Sequence, residues 1–220
     1  MAKIAVILSG CGVYDGAEIH ESVATLAALD RAGAQVTVAA PDIPQMHVVD
    51  HQRGEPAADQ TRNVRVEAAR IARGPVADVK DLRAADFDAV ILPGGFGAAK
   101  NLCTFAVDGA DCSVNPDVAA FLRAMNAGGK VIGAMCIAPA LVARIFGADG
   151  GVDVTIGTDP DTAAAVEAMG ARHVDCPPTG VVVDAERRVV STPAYMNAGR
   201  IGEVFQGIEK LVATVLDLAD

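Results

Sequence analysis

A cysteine set where a buried strand runs straight into a helix is a candidate nucleophile, and this chain has one at Cys136. The segment Gly133-Ala134-Met135-Cys136-Ile137-Ala138-Pro139 leaves no spacer between the two elements. Ala134 and Ala138, two residues to either side of the sulfur, are small, as a sharp strand-to-helix turn requires. Amides and dipole at the start of the following helix favour thiolate over thiol. A buried cysteine serving as a small hydrophobe is the alternative reading of the same segment.

Two further segments offer partners. Pro93-Gly94-Gly95-Phe96-Gly97 follows an apolar strand directly. Gly94 and Gly95 let backbone N–H groups face a ligand, and with the N–H of Ile137 they would form an oxyanion hole. The loop lacks a Gly-Lys-Ser/Thr ending and the Rossmann glycine spacing, which argues against a phosphate cradle. Gly16-Ala17-Glu18-Ile19-His20-Glu21 opens the first helix and puts Glu18 and Glu21 three apart in its first turn. Carboxylates there serve the helix dipole or acid–base chemistry. His20-Glu21 lacks the second histidine of a zinc-protease motif, and no other His, Cys or carboxylate spacing suggests a metal. His47, His51 and His173 fall in loop-like or short-strand contexts and read as surface groups. Cys11, between glycines after the first strand, is expected at the same sheet edge, lining the cleft.

The elements that must hold these residues alternate as strand and helix. Lys3 to Ser9 and Gln35 to Ala40 read as strands around a helix from Glu18 to Arg31, along which Val23, Leu26, Ala27 and Asp30 adjoin. This is one βαβ unit and implies a parallel sheet. Residues 43–78 read as a decorated crossover, with a strand-like piece at 47–50 and a helix-like piece around Val66 to Ala72. Phe87 to Leu92 and Lys130 to Met135 read as strands, and Pro116 to Asn126 and Ile137 to Phe146 as helices. A short strand over Val154 to Gly157 and a helix over Asp161 to Met169 follow. Gly180 to Asp184 and Arg187 to Thr192 form a β-hairpin pattern. A closing helix over Ile201 to Leu218 places Ile201, Val204, Ile208, Leu211, Val212 and Val215 at helical spacing. The 220 residues read as one domain, 1–220.

Composition bounds the function. The chain carries 18 basic and 28 acidic residues and no Lys/Arg cluster, which argues against nucleic acid and anionic membrane surfaces as partners. The longest apolar run, Val131 to Ala143, contains Pro139 and falls short of the roughly 20 residues of a membrane span. Five cysteines with no CxxC and no signal-like start suggest reduced thiols in a cytoplasmic protein.

The stretches KIAVILSGCGVYDGAEIHES, ILPGGFGAAKNL, GAMCIAPAL, TIGTDPDTA and VVSTPAYM together resemble the ThiJ/PfpI superfamily, the class I glutamine amidotransferase-like fold, and within it the ElbB-type glyoxalases. The resemblance spans nearly the whole chain. It implies α/β architecture, a flavodoxin-like three-layer α/β/α sandwich with a mostly parallel sheet, and a homodimer. It maps the family's nucleophile onto Cys136 and its protonatable glutamate onto Glu21, not Glu18. The oxyanion amides fall on Gly95 and Ile137. One departure matters: where many relatives carry a histidine after the cysteine, or a nearby His-Pro, this chain has Ile137 and Asp159-Pro160. A Cys-His-acid triad is not supported, and Asp159 is the only residue offered in the histidine's place. The implied activity is that of a cofactor-free, glutathione-independent glyoxalase, a lyase. It would convert glyoxal or methylglyoxal to glycolate or lactate through a thiohemiacetal on Cys136, so the expected partner is a small dicarbonyl substrate. The alternatives are a deglycase acting on dicarbonyl adducts, and a redox-sensing protein in which Cys136 oxidises beside a protonated Glu21.

Overall fold

The computed structural model describes residues 1–219. In the first half the chain forms β1 (Lys3–Ile7), α1 (Ile19–Arg31), β2 (Gln35–Ala40), β3 (Val49–Asp50), β4 (Glu55–Pro56), α2 (Val64–Ala72), β5 (Ala77–Asp78) and β6 (Ala89–Leu92). It continues through α3 (Phe105–Asp108), α4 (Pro116–Ala127), β7 (Val131–Met135), α5 (Ala138–Phe146), β8 (Asp153–Val154) and α6 (Pro160–Ala168). The last elements are β9 (Arg172–His173), β10 (Val182–Asp184), β11 (Val189–Thr192) and α7 (Ile201–Ala219).

Seven strands make the central sheet in the order β10-β11-β7-β6-β1-β2-β5. Every neighbouring pair is parallel except β10–β11. Alternation along β1 divides the core. Ile4, Val6 and Leu8 join the residues buried beneath α1, α2 and α7, whereas Ala5 and Ile7 join those beneath α4 and α5. The result is the flavodoxin-like α/β/α sandwich that the sequence implies. The apolar run from Val131 to Ala143 is split between β7 and α5, both buried. Among the described residues no helix is long and apolar enough to cross a membrane.

The order of strands also places the functional loops. The chain leaves β1 toward β2 and later returns to β1's other side as β6. The loops after β1 and β6 therefore diverge at a topological switch point, where sheets of this kind form their clefts. β7 and β11 add the next two loops at the same edge, in register Leu92↔Ala134 and Thr192↔Met135.

Burial sorts the helix faces, and two expectations, the strand at 154–157 and the surface reading of His173, need correction. The buried face of α1 is Glu21, Ser22, Ala24, Thr25, Ala28 and Leu29; Val23 is exposed, and Leu26 and Ala27 are only half-buried. The helix thus turns a largely polar stripe inward near its start. In α7, Ile201 is exposed, whereas Val204, Ile208, Leu211, Val212 and Val215 are buried. The strand expected at 154–157 is only Asp153–Val154, which pairs in parallel with β9. His173 is not a surface group: its ring is nearly covered and its Nε2 accepts from the Ile156 N–H at 3.3 Å.

Candidate active site

Cys136 follows β7 with no intervening residue and has φ of 58°. A left-handed backbone at a residue with a Cβ costs roughly 1–2 kcal/mol. The surrounding structure holds it there. The Cys136 N–H donates to Thr192 O at 3.0 Å, extending the β7–β11 ladder past the last strand residue. Ala134 and Ala138 are wholly buried, leaving no room for larger flanks, and Pro139 sits in the first turn of α5. These are the features of a nucleophile elbow.

Glu21 reaches the same point from α1 and is fully buried. Glu18 caps that helix: its carboxylate accepts the Glu21 N–H at 2.7 Å, and its own N–H donates to Gly94 O at 2.9 Å. Glu18 therefore serves as the helix cap, and Glu21 points inward. The Gly94 N–H donates to Glu21 Oε2 at 2.8 Å, and the Tyr195 N–H lies 3.4 Å from Oε1. Burial first, and then the Glu18 carboxylate, push the Glu21 carboxyl up to about 7, against the hydrogen bonds from Gly94, Cys136 and Tyr195.

Gly94 is where the elements meet. A Cβ built on it would stand 2.4 Å from Cys136 Cβ and 2.9 Å from Glu21 Oε2. Only a glycine lets the strand end pass between these two side chains. Gly94→Ala is expected to drive Cys136 and Glu21 apart and to destabilise the fold by roughly 1–3 kcal/mol. Gly202 in α7 has nothing within 4 Å of its Cβ position, so Gly202→Ala is the matched control, expected to be neutral or stabilising. Thermal unfolding of the two variants makes the comparison.

The sulfur's electrostatics differ from the expectation of a thiolate. Burial and then the Glu21 charge push the Cys136 thiol well above its ordinary value. The Gly95 and Ile137 amides oppose this by favouring the charged sulfur. The helix-start amides are thus present, but they are outweighed by desolvation and by a neighbouring acid. Two acids in one dry site do not both ionise readily, so the pair holds at most one negative charge near neutral pH.

The sulfur opens onto an apolar cavity of about 330 Å³. Its walls include Val13, Phe96, Phe105, Ile137, Tyr195 and Met196, and no lining residue is charged. The Phe96 N–H to Val13 O bond of 2.7 Å and the Gly97 N–H to Gly16 O bond of 2.8 Å stitch the two glycine loops together.

Two residues lie elsewhere. Asp159 caps α6, is exposed, and accepts the Thr162 N–H at 2.8 Å. It takes no histidine's place beside Cys136. Cys11 is half-buried, and its thiol is pushed up by burial and next by Glu67 of α2. It faces the 43–78 crossover and is not among the residues lining the cavity. Tyr195, by contrast, is a site residue that no spacing in the sequence singles out. It lines the cavity, its hydroxyl is 2.7 Å from His20 Nδ1, and it follows the left-handed Ala194, at φ of 45°. VVSTPAYM carried the signal, because a loop leaving a strand parallel to β7 must end beside the elbow.

A flavodoxin-like sandwich with a strained cysteine elbow against a buried glutamate defines a class of cysteine-centred α/β proteins. The description of the DJ-1/PfpI family matches residues 3–197, and the chain belongs to that family. The family includes glyoxalases and proteases. The chain is 48% identical to human glutamine amidotransferase-like class 1 domain-containing protein 3, mitochondrial, over 99% of its own length and 83% of the relative's. It is 49% identical to the rat ES1 protein homolog, mitochondrial, over 99% and 84%. A crystal structure of an isoprenoid biosynthesis protein with an amidotransferase-like domain from Ehrlichia chaffeensis superposes with TM-score 0.90 at 37% identity, covering 98% of this chain and 99% of that one. The curated relatives are of ES1 type and not specifically ElbB-type. Their names also overturn the cytoplasmic expectation: they point to mitochondria. Reduced cysteines and an acidic balance do not report the compartment, because proteins are addressed by segments separate from the folded core.

Proposed function

We propose that this protein is a cofactor-free, glutathione-independent glyoxalase of the ElbB kind, with Cys136 as nucleophile and Glu21 as its acid–base partner. One observation carries the reading: a thiol lines a small cavity with no charged wall, between two backbone N–H groups on that wall and a buried neutral-range carboxyl behind it. Glyoxal and methylglyoxal are small and neutral, so they need no cation to hold them.

The Glu21 carboxylate takes the Cys136 proton as the sulfur adds to the aldehyde carbon, giving a thiohemiacetal. The Gly95 and Ile137 N–H groups stabilise the oxygen as charge develops on it. Glu21 passes the thiol proton to that oxygen, and as carboxylate again it removes the carbon-bound proton of the thiohemiacetal and returns it to the adjacent carbon, through an enediol. The product is a thioester. Water cleaves it to glycolate or lactate and restores the thiol. A carboxyl near 7 is suited to both halves of this transfer at neutral pH.

The direct test is incubation with glyoxal in the absence of thiols, followed by NMR. Glycolate is expected to accumulate in proportion to protein. Glyoxal consumed as protein adducts without glycolate would end the reading.

A further inference from the structure

Two cysteines outside the Cys136 centre lie together behind one wall of its cavity. Cys103 and Cys112 are both free and buried. Cys103 forms an antiparallel bridge with Val114. The Thr104 N–H to Ser113 O bond of 2.9 Å and the Asn115 N–H to Leu102 O bond of 2.8 Å reinforce it. Side chains alternate faces along such a pair. Cys112, two residues before Val114, therefore projects on the same face as Cys103, as its diagonal neighbour. The Cys103 thiol donates to Ala98 O at 3.3 Å and the Cys112 thiol to Met169 Sδ at 4.0 Å, so the two are not bonded to each other, yet each is the first influence on the other, holding Cys103 above and Cys112 below the ordinary thiol value. The Arg144 charge also lowers Cys112. Cys112 borders a surface cavity of about 400 Å³ that Arg123 and Arg144 also line.

We propose that Cys103 and Cys112 are a second thiol site, which hydroperoxides close to an intramolecular disulfide. The Cys112 sulfur, as thiolate, attacks the outer oxygen of the hydroperoxide. An S–O bond forms, the O–O bond breaks, and the alcohol or water leaves with a proton, so the peroxide is reduced by two electrons. The Cys103 sulfur then attacks the Cys112 sulfenic acid. The S–S bond forms, the S–O bond breaks, and water departs with the Cys103 proton. Diagonal neighbours stand about 7–8 Å apart at Cα, beyond the upper limit of about 6.8 Å for bridged cysteines, so the bond needs backbone movement. Closure therefore draws the intervening segment inward. That segment is a four-residue helix and one turn, with Val107 65% exposed, so it opens locally at little expense in free energy. Phe105 and Ala106 lie within it and line the Cys136 cavity. The bond thus moves a wall of that cavity, a link that rests on the proposed role of Cys136.

The test uses the chain carrying Cys136→Ala, which keeps the pair and removes the other reactive thiol. After hydrogen peroxide, two thiols are expected to be lost and regained with dithiothreitol. Mass spectrometry is expected to find a Cys103–Cys112 linked peptide. An unchanged thiol count overturns the proposal, and so does sulfinic acid on Cys112 in place of the bond. Cys112→Ser in the same background is expected to keep its thiols; because it is a buried change, the parent result decides if that variant misfolds. In the unsubstituted chain, closure with diamide is expected to slow iodoacetamide labelling of Cys136 several-fold. An unchanged rate with the bond formed overturns the link to the cavity wall. Neither readout depends on glycolate formation, so they stand apart from the glyoxalase reading.

Discussion

Cys136→Ala is expected to lower glycolate formation by roughly 10⁴-fold or more, since the substitution removes the atom that forms the covalent intermediate. The fold should survive. Alanine is already the residue on both flanks of the elbow, and losing one buried thiol costs about 1 kcal/mol. The left-handed φ of 58° remains to be held by the same Thr192 hydrogen bond. A second effect follows at Glu21. The thiol hydrogen bond is one of the influences that lower its carboxyl, so its removal shifts that carboxyl further up from about 7. Glycolate production by NMR, thermal unfolding and the Glu21 titration read the three effects. A folded Cys136→Ala protein with full activity would show that the chemistry lies elsewhere.

Glu21→Gln is expected to reduce turnover by roughly 10²–10⁴-fold, the usual contribution of a positioned acid–base group. It also makes a signed statement about stability. The Glu21 carboxyl rises from an ordinary 4.5 to about 7 in the fold, because burial disfavours its charge. Below pH 4.5 it is protonated whether the chain is folded or not, and its contribution is fully present. Between pH 4.5 and about 7 the unfolded chain releases the proton that the folded chain keeps, so stability falls as pH rises. The loss amounts to about 3 kcal/mol relative to the glutamine variant, whose side chain has no proton to release. Denaturant unfolding of both proteins across this range is the measurement. Parallel curves would mean that Glu21 is not held neutral.

Much of the fold was legible because it is local. Continuous apolar runs marked β1, β6 and β7, and the Pro116 start and Gly128-Gly129 end marked α4. The elbow was legible for the same reason: small flanks and an abrupt strand-to-helix junction are properties of consecutive residues. What escaped depends on distant neighbours. Helix α1 defeats hydrophobic periodicity because its inward stripe includes Glu21, Ser22 and Thr25, with Thr25 Oγ1 donating to Glu21 O at 2.8 Å. β5 is two residues long and exists only as an edge partner of β2. The charge state of Cys136 is not legible because the helix start is visible in the sequence, whereas its burial and the facing acid are not. Tyr195 and Asp159 exchanged importance for a similar reason. Asp159 stood at a suggestive position in the motif but caps α6, while Tyr195 reaches the cavity only through the pairing of β11 with β7.

The uncharged cavity has a consequence for the direction of traffic through the protein. On the proposed chemistry a neutral molecule enters and a carboxylate is made, beside a glutamate that regains its own negative charge as the cycle closes. No cation lines the cavity to retain the new anion. Affinity therefore collapses at the moment of product formation, and like charges eject what has just been made. Such a chamber works as a one-way valve: it clears neutral electrophiles even where the acid they become has already accumulated outside.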